Sequence, residues 1–249
     1  MLEYLKVLLT KNVNQRKEGD PPMVSRATLR GDKKLVELLL KKGAKLDIPD
    51  SEGRLPLHIA IEAGKDEIAK MLIEAGAKLE VLNNEKQTPL HLAAKTNNLE
   101  MVRTLTYLGA AVDIGDKSGW TPFHFAIDNK NLEMAKVLHQ KGADVNRKED
   151  IQGKTPLIIA CLSGEEDLVR WLLDNDAKTN HRDKGGYMPL HVSAMKDFKN
   201  IVDMLLNAGA DINAKETTYG RTPSQLASIE GHAELASFIL QKGNRLRGR

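Results

Sequence analysis

Apolar side chains recur along the chain in short helical bursts separated by polar stretches. In QTPLHLAAKTNNLEMVRTLTYLGAA, residues 87–111, Leu90, Leu92, Ala93 and Ala94 make one apolar side of narrow residues, and Leu99, Met101, Val102 and Leu105 make a second. The spacing predicts two helices. Thr88 is suited to cap the first and Pro89 to occupy its first turn, where the missing N–H costs nothing. Asn97 and Gly109 stand where left-handed residues would end the two helices. A pair this small cannot bury its own apolar faces and needs copies of itself on either side.

The copies are present. The Thr-Pro position recurs as Leu55-Pro56, Thr88-Pro89, Thr121-Pro122, Thr155-Pro156, Met188-Pro189 and Thr222-Pro223. The second stop recurs as Gly43, Gly76, Gly109, Gly142, Asp176, Gly209 and Gly243, in steps of 33, 33, 33, 34, 33 and 34 residues. The first stop runs in parallel as Gly31, Gly64, Asn97, Lys130, Gly164, Asp197 and Gly231, with the same steps. Two ladders that share one period and both one-residue insertions define a repeat.

On these residues the chain resembles the ankyrin-repeat family, whose unit is about 33 residues with a T-P-L-H opening. The resemblance covers residues 21–243. It implies an all-α ankyrin-repeat solenoid of stacked antiparallel helix pairs with projecting β-hairpin loops, and its core grows by stacking with no single centre. The expected organisation is one solenoid over 1–249: a half-repeat or cap at 1–20, then repeats at 21–53, 54–86, 87–119, 120–153, 154–186 and 187–220, and a seventh with a basic tail at 221–249. Two connectors, NRKEDIQG and NAKETTYG, carry one extra residue, and loops that vary on one side often mark the binding side.

The ends depart from the pattern. Residues 1–15, MLEYLKVLLTKNVNQ, lack a small-residue cleavage site and carry Glu3 and Lys6, against a signal peptide. Slid by 31, Tyr4, Leu5, Val7, Leu8, Leu9 and Asn12 fall on Leu35, Val36, Leu38, Leu39, Leu40 and Gly43, as the second helix of a repeat lacking its first; such a segment would cover the end of the stack or belong to a longer array. In the first full repeat, Met23-Val24-Ser25-Arg26 stands where T-P-L-H would be, and Arg26 at an otherwise apolar position suits a polar outer face. The last repeat has Ser224-Gln225 for Leu-His, as a carboxy-terminal cap would.

Composition narrows the function. Hydrophobic residues make up 41% and aromatics 4%, which suits Leu, Ala, Ile and Val packed between thin helices. The single cysteine, Cys161, excludes an internal disulfide and fits a reducing compartment, cytoplasmic or nuclear. No apolar run approaches the roughly 18 residues of a membrane span. Net charge is +3, but Lys242, Arg245, Arg247 and Arg249 supply four positive charges, so the remaining 241 residues come to −1. The body thus gives no bulk electrostatic reason to bind nucleic acid.

Candidate chemistry is sparse. His58, His91, His124 and His191 fall at one position of four repeats, about one repeat apart, and Ile158 replaces them in the fifth. A catalytic or metal site needs convergence within a few ångströms, whereas packed helices stand roughly 10 Å apart. In the family this histidine bonds within and between repeats. Cys161 has no histidine near it in sequence, and no GxGxxG or GxxxxGK[ST] loop is present. Glu165-Glu166-Asp167 opens a second helix, where acids favour the dipole. We expect no enzyme, cofactor, metal or small-molecule substrate, and a monomer. Asn146 and Asn213 match the L-x5-D-[VI]-N pattern that asparaginyl hydroxylases recognise in ankyrin repeats, which is also the repeat consensus.

The family's concave face is built from hairpin tips and the exposed side of the first helices. Aligning the repeats to one another places Arg54, Gln87, Trp120, Lys154, Tyr187 and Arg221 just before Thr-Pro, and Glu62, Lys95, Asp128, Leu162, Met195 and Ile229 later on the first helix. Trp120, Leu162, Tyr187, Met195, Tyr219 and Ile229 would form an apolar strip across repeats four to seven, with the composition of an interface core. The expected function is a non-catalytic scaffold that binds a protein partner on that face. The alternatives are an inhibitor that occludes a kinase or transcription factor, or the recognition segment of a larger enzyme or ubiquitin-ligase assembly. Lys130 and Asp176 at left-handed stops, and Leu55 and Met188 without a capping hydroxyl, each imply a cost of ~1 kcal/mol. Repeats five and six are therefore expected to be the weakest inside the stack. Trp171 and Phe238 fall at a core position of the second helix, as packing residues.

Overall fold

A computed structural model describes residues 7, 8, 10, 12–15 and 20–247, the last four by backbone alone. The described residues are helical, with no strand among them, and divide into two compact halves, Met1–Lys117 and Ser118–Arg249. The amino-terminal half holds α1 (Met23–Arg30), α2 (Lys33–Lys41), α3 (Pro56–Glu62), α4 (Asp66–Glu74), α5 (Pro89–Lys95) and α6 (Leu99–Tyr107). The carboxy-terminal half holds α7 (Pro122–Asp128), α8 (Leu132–Gln140), α9 (Pro156–Ser163), α10 (Glu166–Asp174), α11 (Pro189–Met195), α12 (Lys199–Asn207), α13 (Pro223–Ile229) and α14 (Ala233–Arg247).

Local chemistry sets these lengths. From α3 onward each first helix begins with proline, whose fixed φ and missing donor suit the first helical position. Asp32, Asn98 and Asn131 cap second helices through side-chain oxygens that accept from the N–H three residues on. The stops are left-handed, including Asn97 (φ 56°), Lys130 (φ 57°), Asp176 (φ 63°) and Asp197 (φ 59°), where a Cβ makes that conformation costly.

Within each half the first helices pack on one another in chain order, and each repeat's two helices pack together. Ala60, Ala93 and Ala94 in one half, and Ala126, Ala160, Ala194 and Ala227 in the other, are fully buried. These narrow residues let thin helices approach closely. Leu72, Leu105, Leu138, Leu172 and Leu205 are buried from the second-helix side.

The connectors are turns rather than the β-hairpins expected. Turn bonds close the tips, as from Asp50 N–H to Arg54 O (3.0 Å) with Gly53 N–H to Asp50 O (3.1 Å), or Asp183 N–H to Tyr187 O (2.9 Å) with Gly186 N–H to Asp183 O (3.0 Å). Another bond ties one connector to the next, as from Lys184 N–H to Gln152 O (2.7 Å). Such bonds make no strand ladder.

Three sequence expectations are corrected. Gly243 does not stop a helix: α14 runs through it to Arg247, and its φ is not positive. At Gly109, Gly142 and Asp176 a buried pair follows, Ala110 and Val112, Ala143 and Val145, or Ala177 and Thr179; Gly243 is followed by Asn-Arg-Leu-Arg. Next, Pro22 is the N-cap of α1, so Pro22-Met23-Val24-Ser25 stands in place of T-P-L-H, one residue earlier than expected. Buried Ser25 holds the histidine position, and its hydroxyl is too short to find a partner.

Finally, the amino-terminal segment registers by 33, not 31. Thr10 N–H donates to Val7 O (3.2 Å), as Gly43 N–H does to Leu40 O (3.0 Å). Asn14 N–H donates to Asn12 Oδ1 (3.0 Å), the same pattern as Asn146 N–H on Asp144 Oδ1 (2.8 Å). Connector side chains fix the register here, because an apolar helical run matches itself at several nearby shifts. Tyr4, Leu5 and Leu9 of the expected alignment lie outside the described residues.

Candidate functional site

The histidines tie first helices to the connectors that close their own repeats. Leu55 N–H donates to His58 Nδ1 (3.0 Å), and Thr88, Thr121 and Met188 N–H donate to His91, His124 and His191 Nδ1 (3.1, 3.1 and 3.2 Å). With Nδ1 accepting, each ring is neutral and carries its proton on Nε2. His58 Nε2–H reaches Val81 O (3.1 Å), His124 Nε2–H reaches Arg147 O (3.0 Å) and His191 Nε2–H reaches Ala214 O (3.0 Å). Burial holds His58 and His191 below the usual histidine range, against backbone acceptors that favour the charged form.

The imidazole bond to the N-cap N–H persists at Leu55 and Met188, and the His191 N–H that a capping hydroxyl would take donates instead to Met188 O (3.0 Å). Where threonine is present, its cap bond is long: 3.3 Å at Thr88, 3.4 Å at Thr155 and 3.4 Å at Thr222. Among the described residues, no three His, Cys, Asp or Glu side chains gather as a metal cradle. Cys161 is fully buried, and burial pushes its thiol up to about 12, which leaves no thiolate for chemistry near neutral pH.

Large apolar side chains stand open in both halves, Leu29, Leu82 and Tyr107 in the amino-terminal one, and those of the carboxy-terminal half include residues of its first helices and connectors. Trp120, half-buried before α7, leans on Phe125 with ring centroids 5.0 Å apart. With Leu162 and Ile159 of α9 and Ile151 of the following connector it lines a groove of about 420 Å³. Asp128, Lys154, Gln152, Glu149 and Ser163 complete the wall. Ile151 is 65% exposed, a large apolar side chain held at the rim.

One repeat further on, Tyr187 meets the edge of His191 (6.2 Å), and Met195 is half-buried at the end of α11. Tyr219 is 70% exposed with the Arg221 guanidinium 4.4 Å over its ring, and Ile229 is 56% exposed. The structure thus joins Trp120 and Leu162 in one groove and leaves Tyr187, Met195, Tyr219 and Ile229 along the repeats that follow. Trp171 packs between Phe123 (6.3 Å) and His139 (5.4 Å), and the Lys199 and Lys242 ammonium groups stand over the Phe238 ring.

Ile151 was missed because it is the inserted residue of its connector, without a counterpart in repeats of ordinary length. Its presentation has a readable cause. In ordinary connectors a short side chain closes the turn: Asp50 accepts from Glu52 and Arg54 N–H (2.9 and 2.9 Å), and Asn83 from Glu85 and Gln87 N–H (3.0 and 2.8 Å). In the two lengthened connectors that residue is glutamate. Buried Glu149 accepts from Ile151, Gln152 and Lys154 N–H (2.7, 2.8 and 2.9 Å). Buried Glu216 accepts from Thr218, Tyr219 and Arg221 N–H (2.5, 2.9 and 2.9 Å). One extra methylene spans one extra residue. The Arg221, Thr218 and Tyr219 amides hold the Glu216 carboxyl below its ordinary range, against the effect of burial.

Of the two asparagines of the hydroxylase pattern, Asn146 sits at a joint between repeats. Asn146 donates to Asp176 O (3.1 Å) and accepts from Lys178 N–H (2.8 Å), so both ends of its amide hold the next repeat. Asn180 does the same with Gly209 O (3.2 Å) and Asp211 N–H (2.9 Å), and Asn14 with Gly43 O (3.0 Å) and Lys45 N–H (2.8 Å). Asn213 N–H donates to Asp211 Oδ1 (3.0 Å). The consensus asparagine is structural wherever both amide ends are engaged.

The chain matches the profile of ankyrin repeats over residues 1–83, 75–149, 147–216 and 183–247. Protein fem-1 homolog A-like of Mus musculus is 33% identical over 90 residues, covering 36% of this chain and 14% of its own length. Tyrosine-protein kinase HTK16 of Hydra vulgaris is 36% identical over 93 residues, 36% of this chain and 12% of the kinase. Alpha-latrocrustotoxin-Lt1a of Latrodectus tredecimguttatus is 36% identical over 97 residues, 39% of this chain and 7% of the toxin. The matched segment is thus a small part of each relative. Among solved structures, the ankyrin repeat domain of Bcl-3, described as a unique member of the IkappaB protein family, superposes with TM-score 0.76 at 26% identity, over 90% of this chain and 100% of that one. With repeats matched along nearly its whole length, the chain belongs to the ankyrin-repeat family, whose helix pairs are modules for protein–protein interaction.

Proposed function

We propose that the carboxy-terminal half docks a protein partner on the face made by its first helices and connectors. The groove between Trp120 and Leu162 carries this reading: large apolar side chains left open, ringed by polar ones, mark an interaction site. Tyr187, Met195, Tyr219 and Ile229 extend it along the later repeats. The protein acts by recognition and needs no catalytic group of its own.

The test is to change Tyr187→Glu together with Met195→Glu and measure capture of partners from an extract of the source cell, alongside thermal unfolding. Capture should fall at least tenfold while the unfolding midpoint stays within a few degrees. Undiminished capture by the folded double variant would remove the docking face.

A further inference from the structure

The groove holds two charges that lack the partners their positions have elsewhere. In the second repeat, the residue two before the proline and the residue closing the first helix are Arg54 and Glu62, and they pair at 2.9 Å. The same two positions in the fourth repeat are Trp120 and Asp128, and in the fifth they are Lys154 and Leu162. Each of those repeats keeps one charged member and replaces the other with a large apolar side chain. Asp128 is exposed and Lys154 half-buried, and among the described residues no ion pair engages either. One acid and one base, both unpaired, therefore flank an apolar floor.

Their separation follows from the helices. The connectors preceding α7 and α9 are tied by the bond from Asp150 N–H to Ser118 O (2.8 Å), so the two helices start together. Lys154 stands two residues before α9, and Asp128 ends α7, eight residues along from Trp120, the counterpart of Lys154. At 1.5 Å per residue their backbones lie about 12 Å apart along the groove. An extended chain advances about 3.3 Å per residue, so roughly three to four residues span that distance.

Resting on the docking reading, we propose that the occupant is a protein segment with a bulky apolar side chain seated between Trp120 and Leu162, flanked about three to four residues apart by an acid that pairs with Lys154 and a base that pairs with Asp128. Complementary charges at the rim fix the direction and register of such a segment, and the apolar anchor supplies its affinity.

The test pans a random dodecapeptide phage library on the full chain, then measures synthetic peptides of the enriched sequence by fluorescence anisotropy. Enriched peptides should share an apolar residue between one acid and one base. Asp128→Lys or Lys154→Glu should each weaken binding about tenfold, since like charges at an interface are penalised. The double exchange should prefer the peptide whose acid and base are swapped. Both positions are solvent-accessible and the variants are checked by thermal unfolding. Peptides that bind equally to the charge variants would overturn this occupant. If those same peptides are still lost on Leu162→Glu, the docking face stands. Absence of any enriched sequence would also overturn the peptide assignment, with the docking face then judged by capture of whole partners.

Discussion

The two halves are built by the same rules and present different faces. In the amino-terminal half the face positions satisfy one another: Arg54 pairs with Asp50 (3.0 Å), Glu52 (3.2 Å) and Glu62 (2.9 Å), and buried Gln87 donates to Asp116 (3.3 Å). In the carboxy-terminal half the equivalent positions hold Trp120, Leu162, Tyr187, Met195 and Ile229 beside the charged Asp128, Lys154 and Arg221. Stacking demands the alanines, prolines, stops and imidazole ties, and both halves have them. The positions two before the proline and at the end of the first helix are not needed for stacking, so they are free to carry recognition.

The comparison can be pressed hardest in the core. If the halves share one architecture, Leu105→Ala and Leu205→Ala should each cost about 2–5 kcal/mol in urea unfolding, as fully buried leucines do. A large cost in one half alone would mean that the interiors differ as well as the faces. Next comes recognition. Arg54→Ala should leave partner capture unchanged, where the paired Tyr187→Glu and Met195→Glu substitutions lower it by at least about 1.4 kcal/mol, a factor of ten.

Protonation should affect the halves alike, because His58 lies in one and His191 in the other. Burial depresses both, so as pH falls the unfolded chain takes up the proton before the folded chain does. Stability is complete above the unfolded value of about 6.5 and falls below it, by up to ~1.4 kcal/mol per pH unit for each ring. Urea midpoints between pH 7.5 and 5.5 should show this slope, and His58→Gln or His191→Gln should flatten it by similar amounts.

The smallest effects distinguish stops from helix. Gly209→Ala should lose about 1 kcal/mol at its φ of 85°. Gly243→Ala should gain roughly 0.5–1 kcal/mol, because its backbone is helical and a Cβ there would meet only Ile212, at 3.4 Å. Lys86→Gly, at φ 56°, should gain a similar amount. Thermal melts of the three variants settle the signs.

Much of this was legible because helix ends are local chemistry. Thr-Pro openings and glycine stops state their conformations within a few residues, and the repeat multiplies the signal. Lys86 escaped notice although Gly53, Gly119, Gly153, Gly186 and Gly220 hold its position in other repeats, each at positive φ. The exchange of Asp50, Asn83 and Asp183 for Glu149 and Glu216 also lay in view, beside the two insertions. Its meaning needed coordinates, since only a closed turn shows which amides a carboxylate reaches.

The sequence alone determined the period, the helix pairs and which side chains face the neighbouring repeat, because each depends on contacts a few residues or one repeat away. Tertiary structure decided the rest. It placed Ile151 at the rim of the groove, left the Asp128 and Lys154 side chains without an ion pair among the described residues and carried α14 through Gly243. Those outcomes depend on what stands opposite each residue in space, and a one-dimensional pattern does not encode that.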